Sequence, residues 1–140
     1  MSKVAVVYWS GTGHTEAMAN AVLDGAKSAG ADAVLYQVSE FSADKVADFD
    51  ALAFGCPAMG AEVLEETEFE PVFAACLPKL VGKKVVLFGS YDWGDGEWLR
   101  NWEETCKDGG VTLAAESVKC NNDPDDDGLR ACAELGKAIS

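Results

Sequence analysis

Residues 4–15 read VAVVYWSGTGHT, an apolar run that passes through a glycine-rich turn into a segment rich in helix formers. Val4 to Trp9 is apolar and β-prone, which predicts a strand. The two glycines allow a tight turn, so successive N–H groups can point into one concavity at the positive end of the following helix dipole. Hydroxyl groups add further donors. The stretch therefore predicts a phosphate-binding loop whose contacts are Ser10, Gly11, Thr12, Gly13, His14 and Thr15.

The composition of this loop limits the phosphate that it can hold. A nucleoside-triphosphate loop needs Gly-Lys-Ser/Thr at its end, and a dinucleotide loop needs a third small residue where Glu16 stands. No Lys or Arg occurs between Val4 and Asp24, so neutral donors and the helix dipole would hold the phosphate. A mononucleotide with one terminal phosphate suits these donors better than a triphosphate with magnesium. A loop of this composition can also cap a helix without binding any ligand, and the other loops must distinguish the two.

Length and composition predict one domain that spans residues 1–140. A chain of 140 residues can bury roughly 68% of its unfolded surface, enough for a core without staples. No run approaches the ~18 apolar residues of a membrane helix, and the start Met-Ser-Lys leads directly into a strand without room for a signal peptide. We therefore expect a cytoplasmic protein that does not insert into membranes.

The chain is strongly acidic, with 24 acidic and 11 basic residues and a formal net charge of −13. Nucleic acids require a basic surface, so this balance argues against a nucleic-acid partner. It favours partner proteins with basic contact surfaces, although acidity can also serve solubility alone.

Five cysteines form an odd set without a C-x-x-C pair, which indicates neither a disulfide framework nor a zinc site. We interpret them as reduced thiols that pack mainly in the core. They stand at Cys56, Cys76, Cys106, Cys120 and Cys132.

Apolar, β-rich runs alternate with helical patterns, which predicts βαβ units and a three-layer, doubly wound parallel sheet. Strands one, three and four are continuously apolar and should be central. The predicted strands are Val4–Trp9, Ala33–Val38, Ala51–Cys56, Val85–Ser90 and Val111–Val118. The predicted helices are Thr15–Ala29, a short turn at Ala43–Ala47, a helix with Pro71 in its first turn that ends near Leu80, Glu97–Cys106 and Asp127–Ile139.

Each unusual loop follows the carboxyl end of a predicted strand, where doubly wound sheets bind ligands. Trp93 stands in a loop too polar to be core, and Met59 stands among small residues in another. An indole and a thioether on opposite sides would form a slot for a flat ring. With the phosphate loop, the slot indicates a planar heterocycle joined to a monophosphate.

Along essentially its whole length the chain resembles a short-chain flavodoxin. The resemblance is carried by residues 6–16 (VVYWSGTGHTE), 55–66 (GCPAMGAEVLEE), 69–71 (FEP) and 82–98 (GKKVVLFGSYDWGDGEW). It implies the strand order 2-1-3-4-5, for which flavodoxin itself is the standard example, and flavin mononucleotide (FMN) as the cofactor.

The resemblance also implies roles for the loop residues. Residues 10–15, called the glycine loop below, would hold the phosphate. Met59 and Trp93 would cover the two faces of the flavin, and Glu62 would bind its pyrimidine edge. The Gly60–Ala61 peptide would offer its carbonyl to the flavin N5 when that atom is protonated. The remaining expected contacts are Pro57, Ala58, Ser90, Tyr91, Asp92, Gly94, Asn122 and Asp123. The chain departs from the family pattern at His14, Ala61 and Asp92.

These features predict a low-potential one-electron carrier that holds FMN without a covalent bond and works as a monomer with reductases or iron–sulfur proteins, rather than an enzyme. The alternative is an FMN-dependent NAD(P)H or quinone oxidoreductase on the same fold. A receiver domain is excluded because it needs acidic residues at the ends of strands one and three, where Trp9 and Cys56 stand. A phosphatase loop is excluded because Glu62 and Asp126 stand where it needs an arginine after the cysteine.

Overall fold

The strands and helices follow the predicted alternation in the computed structural model, which describes residues 2–11, 13–59, 64–91 and 96–140. The strands in these ranges are β1 (Lys3–Tyr8), β2 (Asp32–Gln37), β3 (Ala51–Gly55), β4 (Lys84–Tyr91) and β5 (Val118–Asn121). The helices in the same ranges are α1 (His14–Ser28), α2 (Phe69–Cys76), α3 (Glu97–Asp108) and α4 (Asp126–Ala138), and 3-10 turns span Val38–Glu40, Ala43–Asp48 and Leu77–Lys79. All strand pairs are parallel in the order β2-β1-β3-β4-β5, which confirms the predicted order and the central position of β1, β3 and β4.

Helices cover both faces of the sheet because alternate strand residues point to opposite sides. One face of the central strands packs on α2 and α3, and the other packs on α1 and α4. A fully buried Val, Leu or Phe contributes about 1.5–3 kcal/mol, so these two layers dominate the stability of the fold. Strand residues of the first layer include Val7, Leu52, Phe54 and Leu87, and those of the second include Val6, Ala53, Val86 and Phe88.

Two glycines bring α1 and α4 into backbone contact. A Cβ at Gly25 would overlap the carbonyl group of Ala133, and a Cβ at Gly136 would overlap the carbonyl oxygen of Val22. Only glycine permits so close an approach, and both residues are buried. The contact holds α1 firmly, and α1 is the helix that follows the predicted phosphate loop.

The predicted fifth strand, Val111–Val118, is wrong in its position. That segment pairs with β4 only through an isolated bridge between Val85 and Leu113, and β5 begins where the predicted strand ends. β5 reads Val-Lys-Cys-Asn and lies at an edge of the sheet, where only Cys120 is buried. Because an edge strand needs little apolar sequence, the more apolar residues before it were misinterpreted as the strand.

The helix around Pro71 differs from the prediction at its C-terminal end, which was expected near Leu80. Pro71 lies in the first turn of α2 as predicted, but the helix begins at Phe69 and ends at Cys76. Pro78 lacks the N–H that would continue the α-helical hydrogen bonds, so a 3-10 turn follows over Leu77–Lys79.

All five cysteines are free and buried, which confirms that they pack in the core without disulfides. Burial raises the pKa of Cys56, Cys106 and Cys132 to about 12. Burial raises the pKa of Cys76 to about 11. The four groups are therefore thiols rather than reactive thiolates at neutral pH.

The described residues contain neither a candidate membrane span nor a candidate metal site. None of the helices in these ranges is both long enough and apolar enough to cross a membrane. Among the same residues, no three His, Cys, Asp or Glu side chains are grouped as they would be around a metal ion.

Two buried tryptophans of α3 provide a test of this core. The Trp98 Nε1–H donates to the Cys56 carbonyl at 3.2 Å, whereas Trp102 Nε1 has no hydrogen-bond partner among the described residues. Both substitutions by phenylalanine remove similar volume, but Trp98→Phe also loses a hydrogen bond while Trp102→Phe removes an unpaired polar group. We expect Trp98→Phe to lower the free energy of unfolding by about 1–2 kcal/mol more than Trp102→Phe, measured by urea titration. An equal or larger loss in Trp102→Phe would contradict this assignment.

Candidate cofactor site

The loop between β1 and α1 has the backbone of an anion-binding turn. Gly13 is the N-cap of α1 with φ 95°, a left-handed conformation that favours glycine, and its N–H donates to the Ser10 hydroxyl at 3.0 Å. A glycine N-cap offers no side-chain oxygen to the free N–H groups of the first turn. Those groups stay available to an anion at the positive end of the α1 dipole. His14 is the first residue of α1 and is half-buried.

Thr15 links this loop to the end of β4. Its hydroxyl lies 2.8 Å from the hydroxyl of Ser90, and the two residues are only 1% and 4% exposed. The predictions assigned Thr15 to the phosphate and Ser90 to the ring or ribityl chain. The structure brings the two hydroxyls together, so each has a protein partner as well as any contact to a cofactor.

Ser90 also holds the segment that leaves β3. The Ala58 N–H donates to the Ser90 carbonyl at 2.9 Å, just after the Cys56 N–H donates to Phe88 at 3.2 Å. Pro57, Ala58 and Met59 are half-exposed beside the end of β4. Ser90 therefore connects the loops that follow β1 and β3.

The loop after β5 joins the same edge of the sheet. The Asn122 N–H donates to the Tyr91 carbonyl at 2.7 Å, and Asn122 adopts φ 56°, which an asparagine tolerates better than most residues. The Tyr91 ring packs on Trp98 with centroids 5.6 Å apart, and Asp123 is exposed. The described candidates thus gather at the carboxyl edge. Seven of the expected contacts lie outside the described residues, so the slot for the flavin ring stays a prediction. They are Thr12, Gly60, Ala61, Glu62, Asp92, Trp93 and Gly94.

A pocket of about 290 Å³ adjoins the glycine loop on the side of β2. Its carboxylates are already engaged: Glu16 accepts from the Tyr8 hydroxyl at 2.9 Å, and Glu68 accepts from Trp9 Nε1–H at 3.4 Å. Burial, followed by the hydrogen bond and charge of Glu16, raises the pKa of Tyr8. Two carboxylates disfavour a phosphate, so the phosphate is expected at the N–H groups of the loop rather than in this pocket. The lining residues are Tyr8, Trp9, Ser10, Glu16, Gln37, Val38, Ser39 and Glu68.

Trp9 lies beside the glycine loop, although the sequence predicted it as the last residue of the first strand. β1 ends at Tyr8, and the Trp9 ring lies so close to Gly11 that a Cβ there would be 3.1 Å from it. Its Nε1–H donates to Glu68 near the start of α2. The indole therefore packs against the glycine loop. Its position directly before Ser10 was the signal that could have marked it.

Glu65 is a second missed residue, and it is buried with only 7% exposure. Its carboxylate accepts N–H groups from Thr67 at 2.9 Å, Glu68 at 2.7 Å and Phe69 at 2.8 Å. Burial alone would raise the pKa of Glu65, but these backbone hydrogen bonds outweigh it and lower the pKa below its ordinary value. The carboxylate is therefore ionised at neutral pH and fixes the N-terminus of α2 in place. The acidic run Glu65-Glu66 ahead of a helix was the available signal.

A glycine loop with an uncapped helix start at the carboxyl edge of a doubly wound parallel sheet defines a mononucleotide-binding α/β protein. A profile of the flavodoxin family matches residues 6–136. The flavodoxin of Megasphaera elsdenii is 47% identical over 137 residues, 98% of each chain, and that of Clostridium beijerinckii is 44% identical over 135 residues, 96% of this chain and 97% of the other. The solution structure of two-electron reduced M. elsdenii flavodoxin superposes with a TM-score of 0.89 over 97% of each chain, at 47% identity.

The chain belongs to the flavodoxin family, which confirms the resemblance seen in the sequence. Flavodoxins bind FMN and carry electrons, so this protein is an FMN-binding electron carrier. The described residues fit that cofactor, because hydroxyls and free N–H groups at a helix start suit a single terminal phosphate.

The contact between Thr15 and Ser90 can be measured as a coupling. In the apoprotein, Thr15→Val leaves the buried Ser90 hydroxyl unpaired, and Ser90→Ala does the same to Thr15. We expect the double variant to be more stable than the sum of the single effects by about 1 kcal/mol, measured by urea unfolding. As a control, Ser117→Ala removes a hydroxyl that bonds to Glu103 instead, and its effect should add to that of Thr15→Val. Additive effects of Thr15→Val and Ser90→Ala would show that the contact contributes nothing.

The lowered pKa of Glu65 predicts an acid-sensitive contribution to stability. A carboxyl group whose pKa is lower in the folded chain stabilises the fold above its ordinary pKa of 4.5 and loses this contribution as the pH falls through the folded value. The stability difference between wild type and Glu65→Gln should therefore stay constant above about pH 5.5 and shrink below the ordinary pKa. Urea unfolding between neutral and acidic pH measures it, with exposed Glu66→Gln as the control. A difference that does not change with pH would contradict the prediction.

Proposed function

We propose that the chain, acting as one domain over residues 1–140, holds FMN without a covalent bond at the carboxyl edge of the sheet. The phosphate would bind residues 10–15, and the flavin ring would lie between Met59 and Trp93 with Glu62 at its pyrimidine edge. The meeting of the start of α1, the segment after β3 and the turn after β5 at the end of β4 carries this proposal. Ser90, at the end of β4, joins the first two of them through the Thr15 hydroxyl and the Ala58 N–H.

The predicted phosphate loop has no Lys or Arg between Val4 and Asp24 to attract the anionic phosphate of the cofactor. FMN supplies the redox chemistry, since its ring can accept and release electrons one at a time. The chain supplies neutral donors for the phosphate and a formal net charge of −13 around the bound ring. Negative surroundings disfavour added negative charge, so full reduction of the bound ring should require a low potential.

We also propose partners, an oligomeric state and a cellular location for the carrier. Its partners would be reductases and iron–sulfur proteins with basic contact surfaces, because the acidic chain attracts positive surfaces at long range and accelerates their encounter. The protein would work as a monomer in the cytoplasm, and it would pass electrons on rather than catalyse a reaction of its own. The competing function is an FMN-dependent NAD(P)H or quinone oxidoreductase.

One titration distinguishes the carrier from the oxidoreductase. The purified protein should be yellow, release FMN on denaturation, and take up two electrons in two separate one-electron steps under anaerobic reduction. With NAD(P)H alone, or with NAD(P)H and a quinone, it should show no steady turnover until a reductase is added. Steady NAD(P)H consumption without a partner would overturn the carrier function, and a chromophore other than FMN would overturn the proposed site.

A further inference from the structure

Every polar group of Glu65 takes part in a hydrogen bond. Its Oε1 accepts N–H groups from Glu68 and Phe69, and its Oε2 accepts the N–H of Thr67. Its own carbonyl accepts the N–H of Glu70 at 2.9 Å. The one remaining group, the Glu65 N–H, donates to the sulfur of Cys56 at 3.3 Å. Residue 65 is therefore fixed in position and in orientation.

The bond between Glu65 and Cys56 joins the two ends of the segment 57–64. Cys56 is itself held at the end of β3, since its N–H donates to Phe88 and its carbonyl accepts from Trp98 Nε1–H at 3.2 Å. The chain leaves the sheet at Cys56 and returns to the same point at Glu65. The segment between them contains Met59 and Glu62, the expected contacts to one face and one edge of the flavin.

The burial of Glu65 is costly in a chain of this charge. Removing a carboxylate from water costs several kcal/mol unless strong hydrogen bonds offset it, and the formal net charge of −13 adds repulsion. A helix start alone needs no such group, because an exposed Ser, Thr or Asp at the N-cap stabilises a helix by about 1 kcal/mol. The buried carboxylate is thus explained better by a need to fix the closing point of the segment than by helix capping alone.

We propose that Glu65, together with Cys56, is a positioning residue that fixes the two ends of the segment 57–64, which contains expected contacts to the flavin ring of bound FMN. The proposal rests on the proposed function, since it concerns the ring end of that same site. Glu65 touches no part of the cofactor in this proposal; it acts through the segment that it closes. The phosphate end of the site has a separate support in Thr15 and Ser90, so the two ends should respond to different substitutions.

The test compares Glu65→Gln with Glu66→Gln, an exposed neighbour that undergoes the same loss of charge. In Glu65→Gln an amide group replaces one acceptor oxygen and faces backbone N–H groups, so the segment should lose its closing point. We expect the dissociation constants of FMN and of riboflavin each to rise about tenfold, while that of inorganic phosphate for the apoprotein stays the same. The absorption spectrum and the separation of the two one-electron potentials of the bound flavin should also change. Glu66→Gln should match wild type in each measurement.

A purely structural role gives a different pattern. If Glu65→Gln is less stable to urea but binds FMN with wild-type affinity, spectrum and potentials, the carboxylate is a helix cap and the proposal is wrong. If inorganic phosphate and FMN weaken by the same factor, the effect is on the whole site and the proposal is also wrong. A wild-type protein that binds no FMN would instead overturn the proposed function.

Cys56→Ala provides a second variant in case Glu65→Gln does not fold. It removes the acceptor of the Glu65 N–H without changing the charge of the chain at neutral pH, because the Cys56 pKa is about 12. It should shift the riboflavin dissociation constant and the potentials in the same direction as Glu65→Gln, by a smaller factor. Unchanged values in Cys56→Ala would contradict the role assigned to the closing contact.

Discussion

The hydrogen bonds of Ser90 are the constraint on which the described part of the site depends. Parallel strands bring their carboxyl ends to one edge, but this alone leaves the loops free to diverge. The Ser90 hydroxyl contacts Thr15 of α1, and its carbonyl accepts from Ala58 beyond β3. A single residue at the end of β4 thereby links the start of α1, next to the predicted phosphate loop, to the segment that carries Met59. Because the hydroxyl pair is almost fully buried, water cannot replace either partner cheaply.

Behind this junction, close packing keeps the loop supports rigid. Gly25 and Gly136 let α1 and α4 touch through their backbones, which positions the start of α1 relative to the sheet. On the opposite face, Trp98 packs in the core and its Nε1–H also holds the Cys56 carbonyl at the end of β3. The packing of the apolar core therefore also fixes the positions of the start of α1 and of Cys56 at the polar edge of the sheet.

Electrostatics divide the molecule between its interior and its surface. The described residues of the predicted phosphate loop offer hydroxyl and N–H donors, and Glu16 and Glu68 in the adjoining pocket accept hydrogen bonds from Tyr8 and Trp9. Glu65 is ionised although buried, because three backbone N–H groups compensate its charge. The remaining acidic residues of the described ranges lie mostly at the surface. The buried carboxylate is thus compensated by local hydrogen bonds, whereas the excess of negative charge lies at the surface.

The sequence by itself determined the alternation of strands and helices, the central strands and the glycine loop, because these depend on local periodicity and on turn chemistry that neighbouring residues supply. It also determined the family, since the matching motifs occur in several loops in the right order. Tertiary structure alone decided the place of β5, because an edge strand with one buried residue has almost no apolar signal. It also decided the pairing of Thr15 with Ser90 and of Glu65 with Cys56. Those contacts join residues far apart in the chain or across a loop, and their energy depends on burial, which no local pattern of residue types encodes.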